Sequence, residues 1–266
     1  MIARVIINAD DFGLSSEENH TIISAFAQNL ISSATLMANM PGFVEACELT
    51  RQHRLQGKIG LHFNLTYGRP LSQPIQAERG VCSPSGDFDL QFRQHQLWLP
   101  RRTRQAIEEE LRSQWQRCLE HGLRPSHIDS HQHVHNIWPI GEVVARFARR
   151  QGVPLRLARN LGRNLTLPKR VYKRLLNWRL RTLGHASADH VCTPLDLHHG
   201  ALPSGGILEV IAHPSRLDDD FGDAYLEPNQ SLTELLARRL ANVPRSKRHA
   251  DGESAGAASC SAAPRW

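Results

Sequence analysis

The sequence predicts an α/β fold built on a parallel sheet, either a (β/α) barrel or a doubly wound layer. Three observations lead there. Short apolar, β-branched runs alternate with stretches of helical periodicity along most of the chain. Four of those runs end in an Asp or a His, and in a barrel such carboxyl ends form one mouth where catalytic residues collect. The length, 266 residues, suits one large α/β domain, or a domain plus a tail, with a substantial buried core.

The elements follow in order. Residues 4–8 (RVIIN) are rich in β-branched side chains and read as a buried strand. In SSEENHTIISAFAQNLI, Ser15 and Glu18 have capping-box spacing, and Ile22, Phe26 and Leu30 fall four apart on one helical face. Residues 33–37 read as a strand, followed by a helix through Phe43, Val44, Cys47 and Leu49 and the short run KIGLHFNL (58–65). Between 103 and 121, Ile107, Leu111, Trp115 and Leu119 keep helical spacing, and Gly122 stands where a helix terminator belongs. Residues 143–151 read as a helix closed by Gly152, VPLRLA (153–158) as a strand, and 188–193 and ILEVIA (207–212) as later strands. No internal repeat is visible. The segment 67–100, with Pro70, Pro74, Gly80, Pro84 and Gly86, is a long connection of the functional or mobile kind, and its Trp98 is either a lid contact or an ordinary packed aromatic. Residues 244–266, mostly Ala, Ser, Gly and Arg, read as a disordered tail, which leaves 1–243 as the folded domain.

Composition removes several classes. No apolar run approaches the roughly 20 residues of a membrane span. MIARVIINADDFG enters a strand at once with no signal-peptide cleavage pattern. Five scattered cysteines, never in a CxxC pair, speak against a disulfide framework and a thiolate zinc site, and fit a reducing cytoplasm. The formal charge of +6 is equalled by Lys169, Arg170, Lys173, Arg174, Arg179 and Arg181 alone. With Val171, Leu175, Leu176, Trp178 and Leu183 these form one amphipathic helix, either a solvated face or a surface for an anion or partner. No zinc-finger or aromatic RNA-binding pattern supports nucleic acid.

The nonapeptide HIDSHQHVH (127–135) is the densest chemistry in the chain. If extended, it puts His127, Asp129, His131, His133 and His135 on one face. A solvated His-rich loop is the plain alternative. Asp10 and Asp11 close the first strand, His62 the KIGL run and His213 the ILEVIA run. An Asp-Asp pair alone is commonly a turn before a helix, and a lone His62 or His213 is commonly structural. Together, Asp11, His62 and His131 make a two-histidine, one-carboxylate set with open positions, suited to a divalent metal. Asp129 is placed to fix an imidazole tautomer, and His133 and His135 extend the site or line its rim. Arg156 inside VPLRLA needs a carboxylate if buried, and Asp10 is the candidate.

NADDFG, GLHFNLT, HIDSHQHVH and EVIAHP, in this order, resemble the YdjC/ChbG carbohydrate deacetylases, which include chitooligosaccharide deacetylases and a deacetylase of hopanoid biosynthesis. The resemblance covers about residues 4–240. It implies a single-domain, distorted (β/α) TIM-like barrel related to polysaccharide deacetylases. It further implies a divalent metal, usually magnesium, on the residues matching Asp11, His62 and His131, with Asp10 as the base. Zinc or manganese also suits that donor set. After LTELLARRLANV the family's closing strand–helix text gives way to the tail, which predicts an imperfectly closed barrel.

The expected reaction is metal-dependent hydrolysis of an N-acetyl group on an amino sugar. Asp10, held by Arg156, takes the proton of water, and His213 protonates the leaving amine or stabilises the oxyanion. The rival readings are a metal- or sugar-binding homologue without turnover, and another metal hydrolase acting on phosphoesters or cyclic amides. The sequence itself leaves the oligomeric state open, with a homodimer as the assembly considered.

Overall fold

Strand β1 (Arg4–Phe12) lies inside the sheet, paired with a parallel strand on each side. The computed structural model describes residues 2–93, 95–162 and 165–244. Helix α1 (Ser16–Ala27) starts where the capping pattern places it. The Ser15 hydroxyl accepts from the Glu17 and Glu18 N–H groups and bonds the Glu18 carboxylate. Ile22 and Phe26 bury the inner face of α1, while Leu30 is buried beyond its end.

Strand β2 (Ser33–Leu36), helix α2 (Phe43–Gln52) and strand β3 (Ile59–Phe63) repeat the unit. The long connection holds one short turn of helix, α3 (Gln73–Gln76), before α4 (Arg101–Glu120) and strand β4 (Ile128–Ser130). Its Trp98 is 69% exposed, so the packed-aromatic reading fails. Helix α5 (Trp138–Gln151) ends at Gly152, whose φ of 71° is the left-handed terminator its position predicted. Helix α6 (Leu167–Leu183), strand β5 (His190–Cys192), helix α7 (Pro194–His199) and strand β6 (Ile207–Ala212) follow. An antiparallel hairpin, β7 (Pro214–Leu217) with β8 (Asp220–Asp223), and helix α8 (Leu232–Leu240) complete the described elements.

The six long-axis strands form one parallel, curled sheet in the order β4-β3-β2-β1-β6-β5. Register carries the functional consequence. Ala9 pairs with Ala212, so Asp10 and His213 leave neighbouring strands at the same level. His62 pairs with Asp129 across β3 and β4 in the same way.

Two expectations are corrected. VPLRLA forms no ladder; Leu155 alone makes parallel bridges, to Ile128 on one side and Ala186 on the other. Its polar member is nonetheless buried: Arg156 is the largest of the fully buried side chains, and its guanidinium is occupied by acids from three other strands. The apolar side of α6 is also not a packed side. Leu176 and Leu180 are buried, but Val171, Leu175 and Trp178 face outward. The folded chain reaches Pro244, whose carbonyl accepts the Val5 N–H at 2.9 Å. The rest of the tail assigned to 244–266 lies outside the described residues.

Candidate metal centre

Asp10 and Asp11 are adjacent, yet they serve different neighbours because the backbone turns over between them. The β1–β2 register shifts between Ala9 and Phe12, and Asp11 adopts a left-handed φ of 67°. Such a bulge re-aims one side chain while leaving its neighbour in the strand. Gly13 follows with a φ of 85°, and a Cβ there would come within 2.6 Å of the Leu36 side chain. The turn therefore fits tightly against β2.

Asp11 Oδ1 stands 2.8 Å from His131 Nδ1 and 3.2 Å from His62 Nε2. One ligand atom from each of the three residues lies within 4.8 Å of the others. The second nitrogen of His62 is committed elsewhere: Nδ1 is 2.7 Å from Asp129 Oδ1 and 3.1 Å from the Thr35 hydroxyl. Thr35 in turn donates to Asp129 Oδ2 at 3.0 Å. A carboxylate behind an imidazole fixes its tautomer and turns the other nitrogen toward an ion. The orienting acid thus acts on His62, across the β3–β4 register, rather than on His131 two residues along its own strand.

A second acid and histidine group, Asp10, His62 and Asp129, is as compact. Arg156 already fills it. Its Nη1 and Nη2 each lie 2.7 Å from an Asp10 oxygen, Nη1 lies 2.7 Å from Asp129 Oδ2, and Nε reaches Glu209 Oε1 at 2.5 Å. A cation already sits there, so the Asp11 set is the one fitted to a metal. Two imidazole nitrogens and one carboxylate oxygen, with Asp11 and His131 partly exposed, are a donor set suited to a divalent ion with positions left for water and substrate.

Charge follows the same division. Burial works against ionised Asp10, but Arg156 outweighs it and holds the carboxyl well below the usual range. Asp11 is also held well below that range, where hydrogen bonds from His131 and His62 overcome burial. Burial disfavours a charged His62, yet Asp129 and Asp10 push its imidazolium up to about 10. Burial pushes Asp129 up.

His213 Nε2 approaches Asp11 Oδ2 at 3.7 Å and Asp10 Oδ2 at 4.0 Å, so it borders both acids. Its backbone N–H donates to Asp223 Oδ2 at 2.7 Å, and its ring packs edge-on to Tyr225 at 5.1 Å between centroids. The hairpin after β6 therefore positions His213.

The nonapeptide is not extended throughout. Strand geometry stops at Ser130; a 3-10 turn covers His131–Asn136, with Gln132 and His133 at positive φ. The expected common face breaks up accordingly. His131 reaches Asp11. His133 lies among Asp10, Arg156, His213 and His62, and burial pushes its pKa down to about 3. His135 turns back, with Nδ1 2.5 Å from the Ser130 hydroxyl, and burial keeps it neutral. His127 does share the face of Asp129, buried deeper along the strands, where Nε2 lies 3.0 Å from Asn8 Oδ1.

Sequence reasoning missed Asn8, Thr35, Glu209, Asp223 and Tyr225. Asn8 donates to Asp10 Oδ1 at 2.9 Å, and Glu209 accepts from Arg156 and from Ser187. A signal existed for Glu209: an acid inside ILEVIA is the same anomaly as Arg156 inside VPLRLA. Nothing in DDDFGDAY marked Asp223.

Fold and site together define an α/β protein with a curled parallel sheet and a two-histidine, one-carboxylate cluster at its carboxyl edge. Residues 4–251 match the family model described as YdjC-like protein, and the chain belongs to that family. It is 41% identical over 157 residues to a carbohydrate deacetylase of Geobacillus stearothermophilus, an alignment covering 58% of this chain and 60% of that protein. It is 32% identical over 236 residues to a chitooligosaccharide deacetylase of Klebsiella pneumoniae, covering 87% and 90% respectively. A crystal structure from Enterococcus faecalis superposes with a TM-score of 0.69 at 22% identity, covering 92% of this chain and 97% of that one.

Proposed function

We propose that this chain is a metal-dependent carbohydrate deacetylase that hydrolyses the N-acetyl group of an amino sugar or its oligosaccharide. The observation that carries the reading is one edge holding three tools: the Asp11, His62 and His131 donors, an ionised Asp10 fixed by Arg156, and His213 within 4.0 Å of both acids. The names of the Geobacillus and Klebsiella relatives supply the substrate class.

Asp11, His62 and His131 would hold the metal. When bound, a divalent cation supplies Lewis-acid polarisation of the amide and acidifies a nearby water. Magnesium is the metal of choice on the family resemblance; the two imidazoles also suit zinc or manganese. Arg156 keeps Asp10 ionised and its oxygens oriented, so Asp10 accepts the proton of the attacking water. His213, steadied by Asp223 and Tyr225, returns a proton to the departing amine. His133 lines the cleft beside Asp10 without adding charge.

The bridging of Leu155 to both Ile128 and Ala186 favours reading the curled sheet as a distorted (β/α) barrel, with residues 1–243 as one catalytic unit. Free, buried Cys47, Cys82, Cys118 and Cys192 favour a cytoplasmic setting, and a homodimer is the assembly to test first.

The deciding assay is acetate release from N-acetylglucosamine oligomers with added magnesium, zinc or manganese, before and after chelation. Release that stops on chelation and returns with metal is expected. No release with any metal, alongside cleavage of a phosphoester, would overturn the assignment.

A further inference from the structure

Helix α6 presents an outward apolar face that no other described element covers. Leu167, Val171, Leu175 and Trp178 follow at intervals of four, four and three residues, which aligns them on one stripe. They are 75, 50, 52 and 62% exposed. Arg170, Arg174 and Arg181 each stand three residues after a member of the stripe, so they border it. The helix contains no acid. Arg179 pairs with Glu142, and Arg181 pairs with Asp189 at the surface. Lys169, Arg170, Lys173 and Arg174 make no ion pair among the described residues. Alongside the helix runs a groove of about 600 Å³ lined by Asn160, Leu161, Arg170, Lys173, Arg174 and Trp178 among others. Burial, with help from the nearby Arg159 and Lys169, pushes the Lys173 ammonium down to about 8 despite the opposing charge of Asp196.

We propose that the outer face of α6 docks this protein on an anionic phospholipid surface, with the Leu167–Trp178 stripe in the acyl boundary and the bordering bases on lipid phosphates. Apolar residues including Trp beside an unbroken basic border are the composition of a helix lying in a membrane interface. Arginine stems can lie along the apolar boundary while their heads stay at phosphate level. Charge selects this occupant over a second copy of the chain, because a two-fold contact would set the same bases against each other. It also selects lipid over nucleic acid, which would leave the apolar stripe unused. The surface is independent of the deacetylase reading.

The test is cosedimentation of the full chain with vesicles of equimolar phosphatidylglycerol and phosphatidylcholine, against pure phosphatidylcholine. Two variants accompany it: Arg170→Glu with Arg174→Glu, and Leu175→Ser with Trp178→Ala. Circular dichroism verifies that each is folded, and the charge pair keeps the test alive if the apolar pair is not. Binding to the anionic vesicles alone, weakened by salt and reduced about tenfold or more in each folded variant, is expected. Equal partition onto both vesicles, no partition onto either, or undiminished binding by the charge variant would overturn the proposal. So would a stable dimer that shields Trp178 and dissociates in Trp178→Ala, since the partner would then be a second copy.

Discussion

Arg156 holds Asp10 by both terminal nitrogens, each at 2.7 Å from one carboxylate oxygen, with both residues buried. The same guanidinium reaches Asp129 and Glu209. Arg156→Met leaves those acids buried without their cation, a loss that typically costs about 3–5 kcal/mol. Urea unfolding should show a loss of that size. Arg156→Lys keeps the charge but not the planar fork, and should fall between the two.

Asp10→Asn removes the proposed proton acceptor while its shape remains. Turnover should fall about 10²–10⁴-fold, the usual value of acid–base help. Metal affinity, assigned in the proposed reading to Asp11, His62 and His131, should stay within a few-fold of the parent by calorimetric titration. A comparable loss of metal affinity would show that Asp10 is itself a ligand.

His62 titrates against metal binding. Its folded pKa is raised from 6.5 to about 10, so in the metal-free protein its contribution to stability is complete below about 6.5 and is lost as pH rises through 10. Thermal melts of the chelated protein should therefore fall across that alkaline range, and less so in His62→Gln. A metal needs the neutral ring, so binding at neutral pH should release a proton and tighten as pH rises. Titration calorimetry in two buffers of different ionisation enthalpy measures that proton.

His133 and His135 act at the acid end. His135 is buried and His133 half-buried, and desolvation keeps both neutral, with His133 pushed from 6.5 to about 3 and His135 well below its ordinary value. The unfolded chain then binds more protons than the folded one below about pH 6.5, so stability falls as pH drops from there toward 3. The depressed carboxyls of Asp10 and Asp11 push the same way once the usual carboxylate range is passed. Denaturation between neutral and mildly acid pH should give a shallower loss in His133→Gln.

The strand–helix alternation was legible because β-branched runs and four-residue apolar spacings each report one local geometry. The strand-end placement of the four candidate sites was legible for the same reason: a residue directly after an apolar run sits at the strand's carboxyl end. What stayed hidden depends on register. Asp129 faces His62 because β3 and β4 pair residue for residue there, a fact no single strand contains. Glu209 completes the Arg156 cluster because β6 enters the sheet beside β1 rather than next to β5 alone. HIDSHQHVH misled at its second half because positive φ at Gln132 and His133 ends the alternation, and two polar residues carry little warning of that turn. The outward stripe of α6 was not legible, since periodicity shows that a helix has an apolar side, and not which neighbour covers it.

Position 11 passes through two filters of different origin. Its φ of 67° turns away β-branched and bulky side chains, admitting mainly glycine, asparagine and aspartate. In the proposed metal reading, coordination then disfavours the two uncharged survivors. A saturation library there should return mainly aspartate. Glutamate, the substitution that chemistry alone would rank as mildest, also carries the backbone cost of a left-handed φ, about 1–2 kcal/mol.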